Sequence, residues 1–290
     1  KEGWDGFNLK PIGSGIWEWK EWVAWDRTVA EKHPNGHPFR KTDLDRFEIY
    51  NITQTETGIA GLRTGAIDFA LNNFFPEQAR DMEKRGFKVG VGLTSQPALH
   101  LHPQDSCALK YPTCDVRVRQ AMYWSIDRKA LAENLWLGYA IPACQGGSPT
   151  AANWSKSLPS DNCFDPVKAE KLLEDAGYKK GPDGVRVVID YYMNWIPGVP
   201  DLMAQQIVDQ WSKIGIKAIY KKVDRSVALR AHFRTDGTPM PVIFQAVGLG
   251  TGYNDNLWGA RQAYCDDVNA VKCFYPYNNA KFLEIQNKVY

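Results

Sequence analysis

The sequence lacks several features that would identify common classes of protein at once. It has no uninterrupted apolar run near the roughly 18 residues of a membrane-spanning helix, and its first residues, K-E-G-W, are not a signal peptide, so any targeting segment is expected outside it. It also lacks a P-loop lysine and the G-x-S-x-G pattern of a serine hydrolase. A net charge of +2 over 290 residues gives no basic excess for a phosphate backbone, so no nucleic-acid partner is expected.

The remaining composition is that of an ordinary globular protein. Hydrophobic residues make up 44% of the chain and charged residues 23%. A chain of 290 residues is long enough for two domains or one large one, and it can bury a sizeable core.

A glycine-rich stretch, G-L-G-T-G-Y-N-D-N at residues 248–256, follows the apolar run P-V-I-F-Q-A-V. Glycines after a strand can bind phosphate, but such a loop opens a helix or carries a Lys followed by Ser or Thr. Here turn-forming residues follow Gly252, and no lysine occurs until Lys272. The stretch is therefore predicted to be a loop with a purpose other than phosphate binding.

The six cysteines fall into three local couples, none of them in a C-x-x-C motif: Cys107 with Cys114, Cys144 with Cys163, and Cys265 with Cys273. An even count in polar, loop-like surroundings favours disulfides and an oxidising compartment, the periplasm or the cell exterior. Nearest-neighbour pairing is one of the several connectivities that six cysteines allow. Zinc is the competing interpretation, although the spacings lack the paired short loops of structural zinc sites.

Tryptophan is abundant, with 11 copies, three of them in W-E-W-K-E-W at residues 17–22. Trp17 and Trp19 alternate with Glu18 and Lys20, which is the pattern of a half-buried strand. These tryptophans are therefore expected to pack in a core. A surface that stacks against sugar rings is the alternative.

The first hundred residues have the pattern of a mixed α/β protein. Alternation predicts strands at residues 16–25 and 45–52, and a short strand at 66–70. Helical spacing ending in glycine predicts helices at residues 55–65 and 76–85.

The rest of the chain alternates more regularly between helices and strands. Asp115 and Gly138 bracket one or two helices, and the Asp165-Pro166 pair begins another that Gly177 ends. A long loop is expected between Cys144 and Cys163. Strands are predicted at residues 185–193 and 216–223, with a helix at 200–214 between them. Such alternation predicts a sheet covered by helices.

Four segments resemble motifs of a known family. The runs D-V-R-V-R-Q-A-M-Y-W-S-I-D-R-K-A-L (residues 115–131) and F-D-P-V-K-A-E-K-L-L-E-D-A-G-Y (164–178) are similar to signature segments of the family 5 extracellular solute-binding proteins. These are the peptide, nickel and oligosaccharide binding proteins of ABC importers. Residues 11–27 resemble the family's P-V-G-T-G-P-Y segment, and residues 61–69 resemble its L-x-S-G-E-I-D motif.

This resemblance implies an α/β fold of the two-lobed type II periplasmic binding proteins, whose ligand cleft lies between lobes joined by a hinge. Residues 1–95 would form part of lobe I, and residues 96–290 most of lobe II. Family members are longer, so the N-terminal part of lobe I, a small extra domain and a C-terminal return are expected outside this chain. Those missing segments of the same protein would pair with its open strand edges.

The resemblance also implies transport without catalysis, and no cofactor or resident metal is expected. The protein would capture a small solute, an oligopeptide or an oligosaccharide, and deliver it to an ABC permease at the inner membrane. It would be periplasmic or extracellular, with a lipid anchor on the absent N-terminus as one option. Two alternatives remain: a secreted glycoside hydrolase, and a nickel or metal-chelate binding protein using the pairs His33/His37 and His100/His102.

The glycine-rich loop then has an expected role in binding. In peptide-binding relatives this position reads like G-W-x-x-D-Y-N-E-P or D-Y-P-D-P, and the first Asp holds the peptide's α-ammonium group. Aligned on Tyr253 and Asn254, that acid falls on Gly252, and Asp255 matches the second acid. Because a buried ammonium without a counter-charge is costly, the ligand either ends in a group other than an amine or uses Asp255.

The expected ligand-binding residues supply amides, a carboxylate, an arginine and aromatic rings. They are Asn72, Asn73, Asn194, Trp195, Arg234, Gly252, Tyr253, Asp255, Asn256 and Trp258. For the tryptophans, packing in a core or at a rim remains the alternative. For the arginine, the alternative is a solvated side chain.

Overall fold

The computed structural model describes residues 13–70, 75–91, 98–101, 103–144, 163–194, 199–224, 226–227, 242–245, 264–265 and 275–276. The chain divides into two compact units, Lys1–Phe74 and Phe75–Tyr290. The expected lobe boundary near residue 95 stays a prediction. Among the described residues, no helix combines the length and apolar character that crossing a membrane requires.

The first unit contains a three-stranded antiparallel sheet. Its strands, in spatial order, are β1 (Trp17–Val23), β2 (Arg27–Lys32) and β3 (Arg46–Tyr50). The register between β1 and β2 shifts between Trp19 and Glu21, which is a β-bulge.

The single strand predicted at residues 16–25 is therefore wrong in extent. The chain turns after Val23, where the Asp26 amide donates to the Val23 carbonyl oxygen at 3.1 Å, and β2 follows at once. Trp25 occupies the turn with φ 62°, a left-handed conformation that usually falls to Gly or Asn. The local signal for this turn is weak, because V-A-W-D-R contains no glycine, proline or asparagine and only Asp26 favours a turn.

The core position expected for the first tryptophans is also wrong for Trp19, which is 46% exposed. Trp17 is half-buried and packs edge-on against Phe47, with ring centroids 4.7 Å apart. The small side chain of Ala30 is buried instead.

Helix α1 (Thr55–Thr64) ends at Gly65, which has φ 73° as a left-handed cap, so the predicted helix is confirmed. The strand predicted at residues 66–70 is wrong. The amides of Ala66 and Ile67 both donate to the Gly61 carbonyl oxygen, at 2.9 and 3.2 Å. The Ile67 side chain folds over Gly61, where a Cβ would lie only 2.5 Å from its Cδ1. These bonds turn the chain back onto α1, so it cannot extend as a strand.

The second unit begins with helix α2 and contains a four-stranded sheet with its helices. In chain order the elements are α2 (Pro76–Lys84), β4 (Ala98–Leu101), α3 (Pro103–Ala108), α4 (Val116–Trp124), α5 (Arg128–Asn134), α6 (Pro166–Asp175), β5 (Val187–Asn194), α7 (Val199–Lys213), β6 (Ile216–Val223), β7 (Val242–Gln245), β8 (Tyr264–Cys265) and β9 (Tyr275–Pro276). The sheet order is β4-β7-β5-β6, and the short strands β8 and β9 pair with each other.

Aspartates begin three of these helices by accepting hydrogen bonds from backbone amides. Asp115 accepts from the Arg117 amide at 2.8 Å, and Asp165 accepts from the Lys168 amide at 2.9 Å, so both predicted caps are confirmed. Asp127 caps α5 and separates it from α4. The predicted helical stretch after Asp115 is therefore two helices.

The core of this unit lies between one face of the sheet and helices α4, α6 and α7. Alternate residues of β5 are buried on that face, and Val188, which points the other way, is 46% exposed. Trp211 of α7 is fully buried, and its indole N–H donates to the Met122 carbonyl oxygen at 3.1 Å. Tyr191 packs against Trp211 with ring centroids 5.1 Å apart.

Candidate functional site

The carboxyl ends of three strands meet at one edge of the four-stranded sheet. Strands β5, β6 and β7 are parallel, and β4 runs antiparallel to β7. Asn194, the last residue of β5, pairs with Val223 at the end of β6, and Gln245 at the end of β7 pairs with Ala98 at the start of β4. We call this the carboxyl edge. In open α/β sheets, ligands bind in the crevice outside such an edge.

One side of the carboxyl edge is fixed by a cluster that joins α7 to β6. Asp201 lies in the first turn of α7, and its carboxylate accepts hydrogen bonds from the Tyr220 hydroxyl at 2.5 Å and the Lys222 ammonium at 2.8 Å. Tyr220 and Lys222 share the helix-covered face of β6. The cluster therefore ties the start of α7 to the carboxyl end of β6.

The electrostatics keep this cluster in its charged form. Burial opposes ionisation of Asp201, but the hydrogen bonds from Lys222 and Tyr220 outweigh it and lower the pKa of the carboxyl. Burial and the neighbouring Asp201 together raise the pKa of the Tyr220 hydroxyl. At neutral pH the tyrosine is a neutral donor to a carboxylate, so the start of α7 is held by an ionic contact and a hydrogen bond.

A second polar cluster lies on the opposite face of the sheet. The Asp190 carboxylate accepts a hydrogen bond from the Tyr111 hydroxyl at 2.9 Å and forms an ion pair with Lys221, also at 2.9 Å. Tyr111 lies in the short segment closed by the Cys107–Cys114 disulfide. The disulfide therefore constrains the segment that contacts the outer face of β5.

Of the predicted ligand-binding residues, the structure places Asn194 at the carboxyl edge. The others lie outside the described residues and stay predictions: Asn72, Asn73, Trp195, Arg234, Gly252, Tyr253, Asp255, Asn256 and Trp258. Some of them are close in sequence to the carboxyl edge. Trp195 directly follows Asn194, and the loop at residues 248–256 begins soon after Gln245.

The sequence reasoning missed Asp201, Tyr220 and Lys222. A weak signal for them was present, since an acid in the first turn of a helix and two polar residues spaced two apart on the next strand can meet at one edge.

The structure contains two of the three expected disulfides, Cys107–Cys114 and Cys144–Cys163. Both follow the nearest-neighbour scheme. Cys265 lies in β8, but Cys273 is outside the described residues, so the third pairing stays a prediction.

The histidine pairs considered as metal ligands include one pair, His33 and His37, whose ring nitrogens bond to the backbone instead. His33 and His37 each accept a hydrogen bond through Nδ1 from a backbone amide two residues further on. His100 lies in β4, and His102 is outside the described residues. Across the part of the chain that the structure describes, no three His, Cys, Asp or Glu side chains come together as a metal site.

The fold is that of the two-lobed type II solute-binding proteins. It matches a periplasmic oligopeptide-binding protein of Borrelia burgdorferi with a TM-score of 0.69 at 22% identity, over 99% of this chain and 55% of that one. The match of fold confirms the expected class.

The chain belongs to the bacterial extracellular solute-binding proteins, family 5, whose middle-segment model matches residues 1–267. It is 31% identical to heme-binding protein A of Haemophilus influenzae over 215 residues, 72% of this chain and 37% of that protein. It is 29% identical to the glutathione-binding protein GsiB of Escherichia coli K12 over 217 residues, 74% of this chain and 40% of that protein. The chain thus spans about 40% of the length of these curated relatives, both of which are named as binding proteins.

Proposed function

We propose that this chain is part of the solute-binding component of an ABC importer and that it binds a small peptide-like solute at the carboxyl edge. The observation that carries the proposal is the parallel pairing of β5 with β7. Because the two strands are parallel neighbours, their last residues, Asn194 and Gln245, lie at the same edge of the sheet. Trp195 and the loop at residues 248–256 follow these two residues in sequence.

The proposed site uses predicted ligand-binding residues of the second unit, and the roles of Asn72 and Asn73 stay predictions. Trp195 and Trp258 would supply aromatic walls, while Asn194, Asp255 and Arg234 would supply polar anchors for the ends of the solute. The cluster around Asp201 supports this assignment, because a preformed cleft needs fixed walls. Membership of the family supports the class of function.

The relatives guide the choice of solute class. One of the proteins above is named for heme, one for glutathione and one for oligopeptides. A peptide-like solute agrees with the names for glutathione and for oligopeptides. Gly252 at the position of the usual anchoring acid favours a solute whose amine is modified or absent. An oligosaccharide is the competing solute, and the experiment below separates the two.

The first experiment is native mass spectrometry of the complete protein as purified from its own host. Release of short peptides or amine-blocked peptides would support the proposal, and a mass ladder spaced by hexose units would replace peptide with sugar. Titration calorimetry with glutathione and with hemin tests the two named solutes directly. A protein that carries no solute and binds neither probe nor a peptide library would contradict the proposal.

A pair of variants tests the location of the site. Trp195→Ala is expected to weaken binding of the identified solute by about tenfold or more, because aromatic anchors in a cleft dominate its binding energy. Trp25→Ala is the control, since Trp25 is 89% exposed in the β1–β2 turn of the other unit. Equal affinities of the two variants would rule out the carboxyl edge as the binding site.

Delivery to a permease at the inner membrane is also part of the proposal, as is residence in the periplasm or at the cell surface. The two disulfides support an oxidising compartment. Deleting the gene should abolish uptake of the identified solute. Partition of the mature protein into detergent would reveal a lipid anchor on a preceding segment.

A further inference from the structure

The two disulfides of the second unit differ in how far solvent reaches them. Cys144 and Cys163 are 8% and 2% exposed, so the fold encloses the bridge between them. Cys107 and Cys114 are both exposed, and their bridge closes a loop with a sequence separation of 7. A thiol must reach a sulfur atom to exchange with a disulfide. Of these two bridges, only Cys107–Cys114, which we call the exposed disulfide, is open to such an attack in the folded chain.

Two cations lie beside the exposed disulfide. The segment between its cysteines, A-L-K-Y-P-T, includes an exposed lysine, Lys110, and no carboxylate. The Arg119 guanidinium donates to the carbonyl oxygen of Cys114 at 2.7 Å, which places a second positive charge next to the bridge. The neighbouring Asp115 carboxylate is already paired with Arg117 at 2.6 Å. Cations in these positions attract an attacking thiolate and stabilise the thiolate that leaves, so they favour exchange at this bridge.

Other contacts hold the segment in place when its bridge is open. The hydroxyls of Ser106 and Thr113, both fully buried, share a hydrogen bond of 2.8 Å. The Tyr111 amide donates to the Ser106 carbonyl oxygen at 2.7 Å, and the Tyr111 hydroxyl donates to Asp190 at 2.9 Å. These bonds join the residues next to each cysteine without using sulfur. Opening the bridge should therefore leave the fold intact and keep the two thiols close enough to close the short loop again.

We propose that the exposed disulfide is a modification site at which small thiols exchange with the folded protein. A thiolate attacks one of the two sulfurs, the S–S bond breaks, and the other sulfur leaves as a thiolate that takes up a proton. The product carries the small thiol as a mixed disulfide beside a free cysteine. A second small thiol then displaces the first as a small disulfide. The two thiols together supply the two electrons and two protons that leave both cysteines reduced.

Timed reduction of the complete protein with 2-mercaptoethanol tests the proposal under native conditions. Alkylation with iodoacetamide and peptide mass mapping then show which cysteines have been released and which carry the small thiol. Cys107 and Cys114 should react at least about tenfold faster than Cys144 and Cys163, because the fold shields the second pair. In urea the two bridges should open at similar rates. The covalent change survives denaturation, so the result is independent of any solute bound in the cleft.

A pair of lysine variants tests the role of the local charge. Lys110→Glu should slow the opening of the exposed disulfide by about threefold at low ionic strength, because a carboxylate repels the attacking thiolate. Added salt should reduce this difference. Lys129→Glu is the matched control, since Lys129 is an exposed lysine of α5, beyond the far end of α4 from the bridge. This variant should open at the wild-type rate.

Several results would overturn the proposal. The first is an equal rate of opening for the two bridges in the native, complete protein. The second is an opening of the exposed disulfide no faster than global unfolding in the same buffer, measured by pulse proteolysis, because exchange would then require the unfolded chain. The third is a large difference that persists in urea, which would place its cause outside the fold. Equal rates for the two lysine variants would count against the charged environment assigned to the site.

Discussion

The hydroxyl of Tyr191 offers a sharp test of the energetics of the second unit. This side chain is fully buried between β6 and α7, and its oxygen has no hydrogen-bond partner among the described residues. A buried hydroxyl without a partner costs about 1–3 kcal/mol. Tyr191→Phe removes that cost and keeps the ring, whose centroid lies 5.1 Å from Trp211 and 5.6 Å from Tyr220. We therefore expect the variant to be more stable by about 1–2 kcal/mol.

The neighbouring Tyr220 supplies a matched control. Its ring also contacts Tyr191, but its hydroxyl donates to Asp201 at 2.5 Å. Tyr220→Phe should therefore destabilise the protein by about 1–2 kcal/mol, because it removes a hydrogen bond to a charged group. The free energy of unfolding of both variants would be measured by urea denaturation at neutral pH, with the slope m checked for constancy.

The pH dependence adds a second, independent measurement. Burial raises the pKa of Tyr191 well above its usual value. In the unfolded state a tyrosine ionises at a pKa of about 10. Because the folded pKa of Tyr191 is higher, the unfolded state loses its proton first as pH rises, and the folded state becomes less stable above pH 10. Tyr191 alone should lower the free energy of unfolding of the wild type by up to about 1.4 kcal/mol for each pH unit above 10. Tyr191→Phe should remove this contribution to the pH dependence. If Tyr191→Phe is less stable than wild type by 1 kcal/mol or so, the hydroxyl has a partner and the reasoning fails.

Three further predictions concern the cleft, a turn and a disulfide. Gly252→Asp should improve the binding of peptides with a free amino terminus by about tenfold or more, measured by calorimetry; no gain would refute the proposed alignment of that loop. Gly215→Ala should lower the free energy of unfolding by more than 1 kcal/mol in urea denaturation, because φ is +85° and a Cβ would lie 2.9 Å from a backbone oxygen. Replacing Cys144 and Cys163 by serine should lower the free energy of unfolding by about 3 kcal/mol, as expected for a disulfide that closes a loop of this length, and should therefore lower the Tm. An unchanged Tm would show that other contacts constrain the loop.

Local signals in the sequence predicted much of the second unit. The caps at Asp115 and Asp165 act through side-chain oxygens that bond to nearby amides, so they need no information from distant residues. Strand β6 was predicted with its observed bounds because an amphipathic helix and a glycine immediately precede it.

The errors in the first unit have physical causes that the local pattern does not contain. The turn at Trp25 uses a left-handed conformation at a residue that rarely adopts it. The exposure of Trp19 depends on what covers the sheet, which strand alternation cannot report. The cluster at Asp201 forms because α7 and β6 lie against each other in the folded unit. That contact depends on the order of strands in the sheet, which the periodicity of hydrophobic residues does not contain.

The order of strands in the second unit has a consequence for how the protein matures. Strand β7 inserts between β4 and β5, and its residue Val242 pairs with Leu101, 141 positions earlier. The two disulfides close loops with sequence separations of only 7 and 19. Closing a short loop costs less entropy than bringing such distant strands together.

A chain that emerges from its N-terminus into an oxidising space can therefore form both cross-links before β7 is available. Until then β4 and β5 have no strand between them, and each has an edge able to pair with another molecule. Oxidation before β7 is synthesised would therefore leave an unfinished sheet with open edges, and a species of this kind is prone to aggregate.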